Sequence, residues 1–282
     1  MSEIDDSSAP LIEHLAELRT RLIRSVAAFL AAMVLCFIVA EPILKFLLLP
    51  IEDTMRRLGN PNPTMIYTAP QEYFFTLIRV SVVAALMVSF PVIAHQLWRF
   101  VAPGLYKQEK SAFLPFLIAS PLLFLLGASF AHYIVVPLAM QFFLGFADAA
   151  SLLAALVADG VEGVSESGIG IVFQGKVNES LDISLKMIVA FGLCFQLPVL
   201  LTLMGKAGLV SAEGLGGVRK YAVVGILLVA ALVTPPDVIT QLILFVVVYG
   251  LYEVSIWLVR MVERQRLQRM REEGLLDEDE AL

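Results

Sequence analysis

Charged residues are scarce in this chain. Of its 282 residues, 16% are Asp, Glu, Lys or Arg, whereas 59% are hydrophobic. A soluble domain of this length carries about 25% charged residues. The shortage of charge excludes an ordinary soluble domain and indicates a protein that crosses a membrane several times. There is also no basic stripe of the kind that binds nucleic acid, so no nucleic-acid partner is expected.

Cysteine is nearly absent as well. The two cysteines, Cys36 and Cys194, fall in separate apolar runs without a metal-ligand spacing. Both are expected to be buried, inert thiols, and no metal or other cofactor is expected. The apolar runs contain no Ser/His pair or paired aspartates at depth, so the sequence does not predict an enzyme.

Long apolar runs are what the chain has in abundance. A helix of about 20 apolar residues crosses roughly 30 Å of hydrocarbon. We therefore predict an all-α membrane protein, a single polytopic domain over residues 1–282 with six transmembrane helices. The predicted spans are about Leu22–Val39, Tyr73–Trp98, Phe113–Val136, Ile183–Leu203, Tyr221–Val233 and Val238–Val259.

The fifth predicted span is short. As a helix, Tyr221–Val233 rises only about 20 Å, less than a normal bilayer core. The sixth span is a second candidate for a short helix. Outside the spans, residues 10–21 are predicted to form a cytoplasmic interfacial helix and residues 260–282 a cytoplasmic tail. The segment Glu41–Glu72 is expected to lie along the membrane, broken by its prolines, of which Pro50 is the first.

The distribution of Lys and Arg predicts the orientation. Of the 20 basic residues, Arg79 and Lys186 lie inside predicted spans and four lie in loops on one side; the other fourteen lie on the side of both termini. Positively charged loops remain in the cytoplasm. Both termini are therefore predicted to be cytoplasmic, together with the loops at 99–112 and 204–220.

Three polar residues have simple structural interpretations. Glu17 stands four residues before Arg21, a spacing that gives a weak surface ion pair on a helix. Asp237 precedes the sixth span and is a good helix N-cap. Gln196 lies inside the fourth span, where a buried amide needs a hydrogen-bond partner.

Four motifs, which occur in a fixed order, are more specific than the composition. They are HLAELRTRL at 14–22, FVAPGLYKQEK at 100–110, FGLCFQLPV at 191–199 and VTPPDVITQ at 233–241. On this pattern of six spans, the chain closely resembles the TatC family, the multispan receptor subunits of the twin-arginine protein translocase. The resemblance covers essentially the whole chain from Pro10 to Arg264.

The resemblance implies a signal-binding site at the cytoplasmic face. The acidic positions that contact paired-arginine signal peptides match Glu17 and Glu109, and the loop proline matches Pro103. Arg19 and Leu105 lie within the same two motifs and are included in the predicted site. Arginine presents five donors in a planar fork and stays charged, so carboxylates are its natural partners. This agreement favours a binding role for Glu17 over the surface pair.

The resemblance also implies partners and a location. Thr234, Asp237 and Gln241 match the polar cluster that engages a partner helix, and Gln196 is included as a further contact. Many family members have Glu at the position of Gln196. Because this chain has an uncharged amide there, an obligatory carboxylate, for instance as a proton carrier, is not expected at this position. The implied partners are signal peptides of folded cargo, single-span subunits of the TatA and TatB type, membrane lipid and further copies of the chain. The implied location is the bacterial cytoplasmic membrane, with transport driven by the proton-motive force.

One alternative class remains open from the residues. A secondary transporter or channel for a small solute is also built from apolar helices. Such proteins usually show internal repeats and ionisable groups near the middle of the membrane. The six predicted spans show neither an evident repeat nor an unpaired carboxylate near a span centre.

Overall fold

The structure, a computed structural model, describes residues 8–57, 60, 62–101, 114–146, 175–234 and 237–272. In chain order its elements are α1 Ser8–Ile38, α2 Ala40–Arg57, β1 Met65–Ile66, α3 Pro70–Val101, α4 Leu114–Phe130, β2 Gly175–Lys176, α5 Val177–Cys194, α6 Leu197–Lys206, α7 Ala212–Gly217, α8 Arg219–Val233 and α9 Val238–Glu272. After a π-helical turn at Ala131–Val135, the chain stays helical to Phe146.

Five helical stretches in the described part of the chain are long and apolar enough to cross a membrane. They are Leu15–Ile38, Pro70–Phe100, Pro115–Phe146, Val177–Lys206 and Val238–Gln268. The predicted fifth span corresponds to α8, which is indeed short at 15 residues. The suggestion of a short sixth helix was wrong, because α9 has 35 residues. The full count of six crossings remains a prediction.

The fourth predicted span is two helices and not one. The turn at Phe195–Gln196 separates α5 from α6. There the Gln196 backbone N–H donates to the Leu193 carbonyl at 3.0 Å, three residues back along the chain and not four as in an α-helix. Pro198 stands at the start of α6. Since proline has no N–H to continue the α5 ladder and suits a first helical turn, it accounts for the break.

Pro50 does not break the segment after α1, contrary to the expectation from sequence. It lies inside α2, and the Thr54 hydroxyl donates to the Pro50 carbonyl at 2.8 Å. The apolar stripe of α2, which includes Leu44 and Ile51, is buried against the rest of the bundle. Burial of this stripe outweighs the one hydrogen bond that proline removes.

The first helix packs antiparallel along α3. Ala32 and Cys36 of α1 are buried in one cluster with Ala85 of α3. Nearer the far end of α1, the rings of Phe37 and Phe74 are 6.3 Å apart. As the residue number rises along α1 it therefore falls along α3. The two chain ends of this helix pair, the start of α1 and the end of α3, lie at the same end of the bundle.

The centre of the bundle is held by close packing of α4 on α5. A Cβ added at Gly127 would lie 2.5 Å from the Phe191 carbonyl oxygen, so only glycine permits this approach. Small residues at such crossings are typical of membrane helices. Within the described residues, the fold departs from all-α only at the parallel pair of β1 and β2, in which Met65 pairs with Gly175. This pair joins the chain segments that precede α3 and α5.

Candidate functional site

Glu17 lies on the N-terminal half of α1 and contacts Arg21. The Arg21 Nε donates to Glu17 Oε1 at 2.9 Å, and Arg21 Nη2 donates to the same oxygen. The Glu17 side chain remains 35% exposed. The surface pair predicted from the spacing is therefore present, and it shows that this carboxylate accepts a guanidinium. Arg19, on the same helix, is exposed.

The other predicted signal-binding residues, Pro103, Leu105 and Glu109, lie outside the described residues. The structure does describe the helix that leads to them, because α3 ends at Val101. From the level of the Ala32–Ala85 contact, Glu17 lies about 22 Å along α1 and Val101 about 24 Å along α3. Antiparallel packing therefore brings Glu17 to the end of the bundle from which the 102–113 segment departs.

Asp237 caps α9, as the sequence predicted. Its Oδ1 accepts a hydrogen bond from the Thr240 backbone N–H at 2.7 Å, and its Oδ2 accepts one from the Thr240 hydroxyl. Asp237 is only 6% exposed. Its carboxylate is thus directed towards its own helix.

The remaining residues of the predicted partner surface differ in accessibility. Thr234 is buried, and its hydroxyl donates to the Ala230 carbonyl at 2.9 Å. Gln241 is half-buried, and its neighbours Val238 and Leu242 are exposed. Over the described residues 237–242 the accessible surface is therefore mainly apolar, with Gln241 as its polar group.

Gln196 makes its contacts inside the chain, with α4. Its Nε2 donates to the Ser120 carbonyl at 2.8 Å, and its Oε1 accepts from the Ser120 hydroxyl at 2.7 Å. The half-buried amide has thus found the hydrogen-bond partner that its place in a span demands. Sequence reasoning did not identify Ser120, since the two residues are 76 positions apart.

A second group that the sequence did not reveal holds the 207–220 segment on α9. Arg219 Nε and Nη2 donate to the two carboxylate oxygens of Glu253 at 2.7 and 2.9 Å. The Tyr252 hydroxyl donates to the Leu215 carbonyl at 2.7 Å, and the Ala212 N–H donates to Glu263 at 2.9 Å. The hydrogen bonds to Glu253 raise the pKa of the Arg219 guanidinium above its usual value. These contacts fix the start of the short α8.

The long apolar helices define a multi-pass helical membrane protein. Polar contacts, such as those of Gln196 with Ser120 and of Arg219 with Glu253, join these helices to one another. Comparison with known proteins specifies the class further. Residues 13–246 match the family described as Sec-independent protein translocase protein (TatC). A protein of that name from Magnetococcus marinus is 42% identical over 264 residues, covering 94% of this chain and 89% of the relative. The corresponding Aquifex aeolicus protein is 37% identical, covering 91% of this chain and 97% of the relative.

A solved structure agrees with these relatives. The crystal structure of a twin-arginine translocase receptor, TatC, matches with a TM-score of 0.70 and 36% sequence identity, covering 89% of this chain and 99% of that one. The chain belongs to the TatC family of Sec-independent protein translocase proteins. It is accordingly a component of a protein translocase and not an enzyme. This membership gives no support to the alternative of a solute transporter or channel.

Proposed function

We propose that this chain is the signal-receptor subunit of a twin-arginine translocase in the bacterial cytoplasmic membrane. Glu17 and Glu109 together bind the two arginines of a signal peptide at the cytoplasmic face, with Pro103, Leu105 and Arg19 shaping the site. The observation that carries this proposal is the antiparallel packing of α1 on α3. It puts Glu17 at the end of the bundle where the segment containing Glu109 begins.

The Arg21 contact supports the proposed chemistry. One oxygen of Glu17 already accepts two donors from a guanidinium, the group that a signal arginine would present. The pair is partly buried, since the side chains of Arg21 and Glu17 are 14% and 35% exposed, and an i,i+4 helix pair is worth about 0.3–0.5 kcal/mol. A signal arginine that binds at a partly desolvated interface gains more than this, because charge-assisted bonds strengthen away from water. Exchange of Arg21 for a signal arginine is therefore favourable.

The wider function follows the family. Six crossings with both termini in the cytoplasm agree with the excess of basic residues on that side. In this arrangement the Thr234–Gln241 segment faces the other side of the membrane and contacts the transmembrane helix of a single-span TatA- or TatB-type subunit. The proton-motive force drives export of the folded cargo, and further copies of the chain join the complex.

The test is signal-peptide binding to four proteins: wild type, Glu17→Gln, Glu109→Gln and the double variant. Each single change removes one carboxylate charge, and we expect it to weaken binding about tenfold to a hundredfold. The measurement is a titration of a fluorescent paired-arginine peptide against the full chain in nanodiscs. A peptide with two lysines should bind more weakly, since an ammonium cannot form the bidentate fork.

The chain offers a matched control in Glu52→Gln. Glu52 accepts from Arg56 Nε and Nη2 at 3.2 and 2.8 Å on Oε1, with the same spacing as Glu17 and Arg21. Its place on α2 puts it at the opposite end of the bundle. Glu52→Gln should bind the peptide like wild type. Wild-type affinity in the double variant, at normal protein levels, would refute the assignment.

A further inference from the structure

Three charged side chains join α3 to α5 within the first third of their apolar stretches. Asp182 Oδ2 accepts from Lys186 Nζ at 2.6 Å, and its Oδ1 lies 3.8 Å from Arg79 Nη1. Arg79 also donates to the Asn178 side-chain oxygen at 2.9 Å. All three charged side chains are exposed to a substantial degree: 53% for Arg79, 40% for Asp182 and 63% for Lys186.

The depth of this group is informative. The apolar stretches Pro70–Phe100 and Val177–Lys206 contain 31 and 30 residues, about 45 Å of helix each, so they exceed the bilayer core. From Arg79 to Phe100, α3 rises about 32 Å, a length that matches the hydrocarbon thickness. The charged group therefore lies at the boundary between hydrocarbon and headgroups.

The face of α5 below Lys186 is apolar and exposed. Leu193 follows Lys186 by one heptad and is 52% exposed. Residues seven apart lie on nearly the same side of a helix. A cation above an exposed leucine is the arrangement in which a basic side chain reaches the headgroup layer while lipid tails cover the helix.

We propose that Arg79 and Lys186 bind the phosphate of an anionic phospholipid, and that Asp182 positions the two cations. Each carboxylate oxygen of Asp182 faces one of them. Two positive charges and one negative charge leave a net charge of +1, which complements the single negative charge of a phosphodiester. The proposal concerns the end of the bundle opposite to the signal site and does not depend on the proposed function.

The experiment measures phosphatidylglycerol retained by the purified full chain, by native mass spectrometry over a titration of the lipid. Phosphatidylcholine serves as the zwitterionic comparison. Arg79→Gln and Lys186→Gln should each weaken phosphatidylglycerol binding about fivefold, since one basic residue near a lipid surface contributes at about this level. Asp182→Asn should strengthen it, and a gain of binding cannot result from misfolding.

The matched control is Lys45→Gln. Lys45 is 73% exposed and pairs with Glu41 at 2.7 Å in the same i,i+4 spacing as Lys186 with Asp182, but it lies on α2. Its substitution should leave retention unchanged. Unaltered retention in both Lys186→Gln and Asp182→Asn would overturn the proposal. Equal retention of the two lipids, or displacement of phosphatidylglycerol by an equal concentration of soluble glycerol phosphate, would overturn the assignment to a lipid.

Discussion

The chain uses polar side chains differently in the middle of the bundle and at its end. In the middle, Gln196 and Ser120 join two helices through two hydrogen bonds of 2.7 and 2.8 Å. At the end, Glu17 pairs with Arg21 one turn along its own helix, and 35% of its side chain is exposed. The first contact connects elements that are distant in the sequence, whereas the second is local.

The difference follows from the solvent. A polar group within hydrocarbon has no water to bond, so the chain itself must satisfy it, and the contact then contributes to stability. At the interface water satisfies the same group, so a weak local pair suffices and a ligand can replace it. Substitutions in the middle should therefore change stability, and substitutions at the end should change binding.

The largest effect is expected for Gln196→Glu. The Gln196 amide donates to the Ser120 carbonyl, but a carboxylate has no proton to donate and would set two acceptors against each other. The free energy of unfolding should fall by about 1–3 kcal/mol. Thermal unfolding of the purified chain in detergent measures this loss. Signal-peptide affinity should stay at the wild-type value.

The pH dependence of this variant sharpens the test. Protonation restores one donor to the introduced carboxyl group, so the loss of stability should shrink as the pH falls. Gln241→Glu provides the control, because Gln241 is half-buried on α9, outside this contact. Equal melting temperatures for wild type and Gln196→Glu at neutral pH would show that the Ser120 contact does not stabilise the bundle.

The sequence predicts those features that depend on local pattern. Length and hydropathy locate the long helices, and Asp237 is recognisable as an N-cap because it follows two prolines and precedes an apolar run. The demand of Gln196 for a partner is also predictable. Its partner Ser120 is not, because a serine in an apolar run gives no sign of which helix it faces.

The features that the sequence misjudges depend on tertiary packing. Pro50 is a strong local signal for a break, yet burial of the α2 stripe keeps the helix continuous. The bidentate contact of Arg219 with Glu253 joins residues 34 positions apart and has no local signature. The assignment of Glu17 to a signal site came from family resemblance. Its own spacing indicates only the surface pair that the structure contains.

A smaller effect is expected in the Thr234–Gln241 segment, the proposed contact with a partner subunit. Here Gln241→Leu should weaken contact with a single-span partner helix. One hydrogen bond between membrane helices contributes about 1 kcal/mol. The same yield of crosslink should therefore need about fivefold more partner subunit. Thr234→Val should change little, since its hydroxyl bonds the Ala230 carbonyl of its own helix. Site-specific photocrosslinking in membranes makes the measurement. A greater loss in Thr234→Val than in Gln241→Leu would place the contact elsewhere.

The smallest effect tests whether a signal-peptide arginine can replace Arg21 as the partner of Glu17. Arg21→Gln removes the guanidinium that competes with the signal peptide for Glu17. Because the pair is worth about 0.3–0.5 kcal/mol, affinity for a paired-arginine peptide should rise about twofold. Arg56→Gln removes the matching guanidinium from Glu52 on α2 and should leave affinity unchanged. Replicate peptide titrations in low salt, where such pairs are least screened, can resolve a twofold change. A loss of affinity in Arg21→Gln would mean that Arg21 orients Glu17 for the ligand, and the idea of simple competition would then be wrong.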